Sequence, residues 1–474
     1  MAIAPPRQAD AARPGDGNGG PPRRRTVVLD EARLDRSVLA LAWPVLVQQL
    51  ALSLVQLVDT FLVGHIDSTG NALAGVGLAT FIQWTPQAGV FAIAAGTTAV
   101  LARDIGSGQP ERASATLRNG LLLSLLWGIL GTVFVFFAAD WSMNAMGATG
   151  DVLTLGASWL RWAAPGILFG SLLFVANSGQ QGAGDTRTPM VVMLCVNIVN
   201  AIVAYGLIYG SFFLPRLGVR GSGIGFSVSQ LIGMALTLAI LAKGRAGLKL
   251  DWPELRRWDG EIMRRILNVG VPSGLEQLQF QFAMLVYTRI ISSLGDAALA
   301  AHSVAIRIQG LAFMPGMAFQ QAATAFTGQA LGAGKPELAE RATFAAMRFA
   351  LCMLGAVALL LALFGGPITG AFVSDPAVTS AGRRLLLIFA VAQPAIAIAF
   401  TFAGSLRGAG DTSAVMVIFA ISPWVMRVTL AYLFAIVLGW GVGGAWIGAV
   451  ADLWVRAGLT YLRFRRGRWK TIRV

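Results

Sequence analysis

The sequence predicts an all-α integral membrane protein of twelve transmembrane helices arranged as two parallel six-helix repeats. Three observations carry this. First, 55% of the 474 residues are hydrophobic and only 13% are charged, with a mean hydropathy of +0.66, whereas soluble domains run to about 25% charged. Second, apolar runs of about twenty residues, enough to cross a bilayer core, recur along the chain. They are continuous rather than alternating, which excludes an outer-membrane barrel. Third, the second half of the sequence repeats the first.

The expected spans lie near 37–64, 73–102, 114–139, 152–181, 188–213, 219–242, 263–294, 299–331, 342–373, 381–406, 413–438 and 442–464. Residues 1–36, rich in Pro, Gly and Arg, are expected to be a disordered tail. They contain no apolar run of the signal-peptide kind. Residues 37–242 form the N-lobe, 243–262 a basic, amphipathic inter-lobe linker on the membrane surface, 263–465 the C-lobe and 466–474 a basic tail.

Net charge is +14, yet no basic domain interleaved with aromatics suggests nucleic acid. The basic residues sit in alternate connections: Arg23 to Arg25, Arg112, Arg118, Arg187, the 243–265 segment, Lys335, Arg341, Arg407 and the C-terminal tail. The other connections carry Asp67, Asp140, Asp151, Asp296 and Asp375 and fewer basic residues, Arg216, Arg220, Arg383 and Arg384. By the positive-inside rule both termini are cytoplasmic, in the inner (plasma) membrane. A monomer surrounded by membrane lipids is expected. Cys195 and Cys352 lie inside apolar runs, and the two histidines are His65 and His302, a pattern that offers no disulfide framework or metal centre.

The repeat holds a nearly constant offset. Gly182–Thr186 and Gly408–Thr412 (both GAGDT) are 226 apart, as are Gln83 and Gln309. Pro44, Gln48 and Gln49 match Pro272, Glu276 and Gln277 at 228, and Gly218 matches Gly441 at 223. Six spans per half give both halves one orientation, a parallel repeat with a cleft between lobes, the architecture of a rocker-type secondary transporter. GAGDT lacks the Lys and spacing of a phosphate-binding loop, so no nucleotide or other cofactor is expected and the energy comes from an ion gradient.

The candidate residues are the polar ones inside spans. Asp59 lies near one end of the first span, and a carboxylate there costs about 2.5 kcal/mol or more unless it faces a cavity or a partner. Gln48, Gln49, Ser53, Gln56, Asp59 and Thr60 fall within an arc of about 140° on a helix. Gln56, Asn197 and Asn200 are the expected partners of Asp59, together an ion-coupling site. Glu276 lies near the midplane of the seventh span. With Gln277, Gln281, Phe280, Met284, Gln83 and Gln309 it is expected to line a substrate cavity, Met and Phe giving an adaptable surface. Arg427, Asp452 and Arg456 are expected to form a buried, self-satisfying ion network.

The motifs LVDTFLVGHIDSTGNALAGVGLA, GQQGAGDTRTPM, LGDAALAAHSVAIRIQGLAFMP, TGQALGAGKPELA and GSLRGAGDT, in this order across both halves, resemble the multidrug and toxic compound extrusion (MATE) transporters. The resemblance covers about residues 37–465. It implies a V-shaped, two-lobe bacterial antiporter that exports cationic or amphipathic compounds in exchange for protons or sodium, with Asp59 as the coupling-ion carboxylate. Positions where NorM-like members carry further acids are Phe280 and Ile396 here, and the extra DinF-like acid is Ala204. Asp59 with the two Asn makes the DinF-like pattern the nearer one, and a single acid favours the proton. A flippase for a lipid-linked saccharide, of the same wider superfamily, is the alternative. Such proteins tend towards an Arg-rich cavity, and the candidates here are mainly Gln, Asn and acids. An integral membrane transferase would need a His, Asp or Cys cluster at a membrane face, and none is found.

Overall fold

Backbone amides inside a bilayer must be satisfied within the protein, so the apolar runs fold as helices. The computed structural model describes residues 31–66, 69–212, 214–250, 257–373 and 375–472. The N-lobe comprises α1 (Leu34–Gly64), α2 (Asn71–Trp84), α3 (Gln87–Gly106), α4 (Pro110–Phe137), the short α5 (Ala139–Ala145), α6 (Gly150–Gly182), α7 (Arg187–Tyr209) and α8 (Val219–Ala242). The C-lobe comprises α9 (Gly260–Ser292), α10 (Asp296–Gly332), α11 (Pro336–Gly370), α12 (Pro376–Ala390), α13 (Gln393–Gly408), α14 (Thr412–Ser422), α15 (Thr429–Tyr432) and α16 (Gly441–Arg465). The span Thr412–Val437 runs through α14 and α15 with wide π-helical turns at Pro423–Val428 and Leu433–Val437.

Pairing α2 with α3 and α12 with α13 gives twelve crossings, six per lobe. Among the described residues, nine helices are long and apolar enough to cross a membrane alone, and the bent α12–α13 pair makes ten. The remaining two crossings, α9 and α16, are interrupted by Glu276 and by Asp452 with Arg456.

The repeat extends to details of hydrogen bonding. Thr98 Oγ1 donates to Ser178 O at 3.1 Å, and Thr324 Oγ1, 226 residues on, donates to Gly404 O at 3.0 Å. It does not extend to the helix breaks. The N-lobe breaks its second crossing at Thr85–Pro86, where the C-lobe equivalent α10 runs on through Pro315. The C-lobe breaks between α12 and α13 with a 48° bend, where the N-lobe equivalent α6 runs through Pro165. An indole bonds a carbonyl at each break: Trp127 Nε1 donates at 2.8 Å to Pro86 O, which also accepts from Gly89 N at 3.2 Å, and Trp454 Nε1 donates to Val391 O at 3.2 Å.

The lobes meet along α1, α3, α9 and α10, in the half of the molecule nearer the face that carries both termini. There the backbones touch. A Cβ on Gly96 would lie 2.0 Å from Ile266 O, on Gly270 2.1 Å from Ala92 O, on Gly106 2.1 Å from Gln329 O and on Gly332 2.2 Å from Arg103 O. Only glycine permits such approach. Further links cross the same end: Gln329 Nε2 to Gly182 O at 2.8 Å, Glu31 to Lys335 at 2.5 Å and Arg265 to Asp104 at 3.8 Å. Towards the opposite face, Ser53 Oγ of α1 lies 3.5 Å from Met314 Sδ of α10.

Several expected boundaries shift. Most of the expected N-terminal tail lies outside the described residues, but Glu31–Arg33 form a helical turn and α1 starts at Leu34. The described start of the linker is a tight turn, Arg245 to Leu248, that tucks Leu248 and Leu250 into the N-lobe core. Its middle, 251–256, lies outside the described residues. The C-terminal tail is docked: Trp469 is fully buried with its ring 4.7 Å from that of Phe464, and Ile472 O accepts from Arg103 Nη2 of the N-lobe at 2.7 Å. Cys195 on α7 and Cys352 on α11 are free thiols, one in each lobe.

Candidate coupling and substrate sites

The polar stripe of α1 divides. Gln48 turns into the N-lobe and accepts from Gln181 Nε2 at 2.7 Å, whereas Ser53 faces Met314 of the other lobe. Asp59 lies on Gln48's side of the helix, three turns on. It meets the fully buried Asn200 of α7. Asp59 Oδ1 and both amide atoms of Asn200 are buried with no hydrogen-bond partner. The result is a carboxylate with one incompletely bonded polar neighbour, enclosed by α1 and α7. Asn197, expected to share this site, instead donates to Met193 O of its own helix at 2.7 Å. That bond satisfies its N–H locally and gives it no contact with Asp59. The Gln56 side chain is outside the described residues.

In the C-lobe, Asp452 is fully buried and holds two guanidiniums. Arg456 donates to it from Nε and Nη2 at 2.9 and 2.6 Å, and Arg427 from Nε at 3.1 Å. Ser422 Oγ adds a fourth bond at 2.5 Å. A carboxylate with this many donors offsets much of its desolvation. Phe280 and Met284, expected in the substrate cavity, turn into this network. Arg427 and Arg456 each lie 5.7 Å from the Phe280 ring, and Arg427 Nη1 donates to Met284 Sδ at 3.0 Å. The i, i+4 spacing of 280 and 284 puts them on the buried face of α9 with Tyr287. His302 accepts from Trp446 Nε1 at 3.2 Å within the core.

Glu276 was expected as an open cavity acid. It is ion-paired instead: Arg407 Nη2 reaches both its carboxylate oxygens at 2.6 and 2.8 Å, each side chain 13% exposed. Gln277 and Gln281 do face the cleft, because they share the face of α9 whose Gly274 packs on Ala88 and Ala92 of α3. Gln83 and Gln309 are half-buried at equivalent places inside their crossings, Gln83 just before the Thr85–Pro86 break, and Gln309 lies on the side of α10 away from Met314.

Two residues escaped the sequence reading. Arg407 was counted as a loop charge, yet the repeat points to it: Glu276 corresponds to Gln48 and Arg407 to Gln181, which pair with each other. Arg307 is exposed on α10, two turns from Met314 on the same face, and so faces the cleft rather than lipid. The polar residues of the C-lobe are therefore more basic than the Gln, Asn and acids expected from sequence.

The MatE family model matches residues 44–206 and again 272–433, one copy in each lobe. The chain belongs to the MatE family. Relatives include the probable multidrug resistance protein NorM of Thermotoga maritima, 28% identical over 92% of this chain and 93% of that protein. The NorM of Rhodopseudomonas palustris is 31% identical over 90% and 91%. The multidrug resistance protein MdtK of Yersinia pseudotuberculosis is 29% identical over 91% and 95%. Among solved structures, an outward-facing multidrug resistance MATE transporter superposes with a TM-score of 0.85 at 25% identity, covering 93% of this chain and 97% of that one.

Within this MatE chain the places expected to carry acids in other branches are packed shut. Ile396 and Ala204 are fully buried, and a Cβ on Gly225 would lie 2.9 Å from Ala204 Cβ, which leaves no room for a carboxylate. Among the described residues Asp59 has no ion-pair partner, and its Oδ1 is buried without a hydrogen bond.

Proposed function

We propose that this MatE protein is a secondary antiporter, acting as a monomer, that exports cationic or amphipathic compounds in exchange for protons by rocker-type alternating access. The observation that carries the reading is Asp59, half-buried with its Oδ1 enclosed and without an ion-pair partner, beside the fully buried Asn200. Such a group binds a proton without breaking a salt bridge. The Arg-rich face with both termini is read as cytoplasmic, in the inner (plasma) membrane. The glycine seam then seals the inner side, and the cleft opens outward.

In this state Asp59 takes up a proton and loses its charge. The amide and hydroxyl groups around α1 and α7 rearrange, and a bound cation is released outside. Opening of the seam exposes Asp59 to the cytoplasm, the proton leaves and substrate binds again. The reading as nearer the DinF-like pattern is supported by Asp59 and Asn200, while Asn197 bonds to its own helix. Proteoliposome efflux of rhodamine 123 tests the proposal: Asp59→Asn is expected to abolish uptake driven by a proton gradient. Transport equal to wild type would sink the role of Asp59. Transport driven only by a sodium gradient would transfer the coupling to sodium.

A further inference from the structure

The C-lobe cluster has more positive charge than the lobe neutralises. Its five charged members are Arg407, Arg427, Arg456, Glu276 and Asp452, three guanidiniums against two carboxylates. They form one assembly. Phe419 is flanked by Arg407 at 5.6 Å and Arg456 at 5.1 Å, and Phe280 by Arg427 and Arg456. Arg427 and Arg456 are at most 4% exposed. A net charge at this depth is costly in a bilayer.

The hydrogen bonds leave the same remainder. Arg456 uses Nε and Nη2 on Asp452, Arg427 uses Nε on Asp452 and Nη1 on Met284, and Arg407 uses Nη2 on Glu276. Arg456 Nη1, Arg427 Nη2, and Arg407 Nε and Nη1 bond to no described protein atom. A guanidinium has five N–H donors and no acceptor; water completes the hydrogen bonds alone, whereas an anion also balances the charge.

The position matters too. The two family-model matches end 227 residues apart, at 206 and 433, and the same offset carries Asn200 to Arg427. Asp59 corresponds to Tyr287, whose ring lies 5.8 Å from Arg427. The place that holds an unpaired acid and an amide in the N-lobe holds an arginine and a phenol in the C-lobe.

We propose that the C-lobe binds one monovalent anion between Arg427 and Arg456, beside Phe280, with Arg407 adding to the positive field. The anion is either a free halide or the carboxylate of an amphoteric substrate; only the second source rests on the antiport reading above. Purified protein is titrated with bromide against gluconate at constant ionic strength, and the thermal unfolding midpoint is followed. Wild type should rise with bromide, and Arg427→Gln should not, since it removes the excess charge while Asp452 keeps Arg456. If Arg427→Gln fails to fold, Phe280→Glu keeps every arginine, supplies an internal carboxylate and should likewise lose the bromide response.

Proteoliposome transport then separates the sources. Rhodamine 123 is a methyl ester and rhodamine 110 its free carboxylic acid. A carboxylate source predicts that Arg427→Gln lowers rhodamine 110 transport about ten-fold, the size of one charge-assisted contact, with rhodamine 123 unchanged. A halide source predicts the bromide response with no selective loss of rhodamine 110. Loss of rhodamine 123 transport in the wild type would count against the antiport reading alone. No bromide response in wild type and no difference between the dyes would overturn the anion site.

Discussion

At equivalent places in the two lobes, Gln48 meets Gln181 as a neutral amide pair and Glu276 meets Arg407 as a charged one. The same contrast recurs deeper in each lobe. Asp59 and Asn200 are incompletely bonded, whereas Asp452 is surrounded by Arg427, Arg456 and Ser422. The backbone repeat preserves a threonine-to-carbonyl bond across the 226-residue offset, so beside the different helix breaks and π-helical turns the contrast lies largely in side-chain chemistry. A carboxylate held by several donors has little reason to change its proton. One left without partners can do so at small structural cost. The two lobes are similar containers, and in the reading proposed above one holds a responsive acid and the other a fixed one.

The largest expected effect tests the fixed lobe. Asp452→Asn leaves two buried guanidiniums without a counter-charge and should destabilise the protein by about 3–5 kcal/mol, read by chemical or thermal unfolding in detergent. Next, Glu276→Gln strands Arg407 and should cost about 2–3 kcal/mol. The double variant Glu276→Gln with Arg407→Gln recreates the N-lobe amide pair, and its stability should return to within about 1 kcal/mol of wild type. A double variant no better than the single one would show that the lobes are not interchangeable at this place.

A smaller effect is expected where the lobes join. Gly96→Ala drives a methyl against Ile266 O and should cost the closed seam about 1–3 kcal/mol. It should move the population towards the inward-open arrangement, visible as faster modification of seam residues from the side of the termini. Gly310→Ala, where a Cβ meets nothing within 4 Å, serves as the control. The smallest effect concerns the helix breaks. Trp454→Phe and Trp127→Phe each remove one indole bond to a carbonyl at a break and should each cost about 1 kcal/mol. A markedly larger loss at one of them would identify the break that carries more of its lobe's stability.

The fold was legible because bilayer physics leaves few choices: apolar length gives the spans, and the constant offset gives the two lobes. Asp59 was legible for the same reason, an acid in an apolar helix. Its surroundings were less so. Helical periodicity placed Gln48, Ser53 and Asp59 on one broad stripe but could not say that another lobe begins partway across it. Asn197 and Asn200 share a helix face, and only packing against α1 decides that Asn200 meets Asp59 while Asn197 bonds to its own backbone. Arg407 sits at the end of a span, where charge counting assigns it to a loop. Only the repeat, applied to pairs rather than to single residues, links it to Glu276.

The positions of the two thiols have a practical consequence. Cys195 belongs to one lobe and Cys352 to the other, and Cys352 is exposed while Cys195 is partly so. If transport proceeds by rocking one lobe against the other, the separation of these sulfurs is a ruler already written into the chain. Paramagnetic tags on the unaltered protein would give a distance distribution whose peaks count the conformations present, and adding substrate or acid would show which peak each one favours.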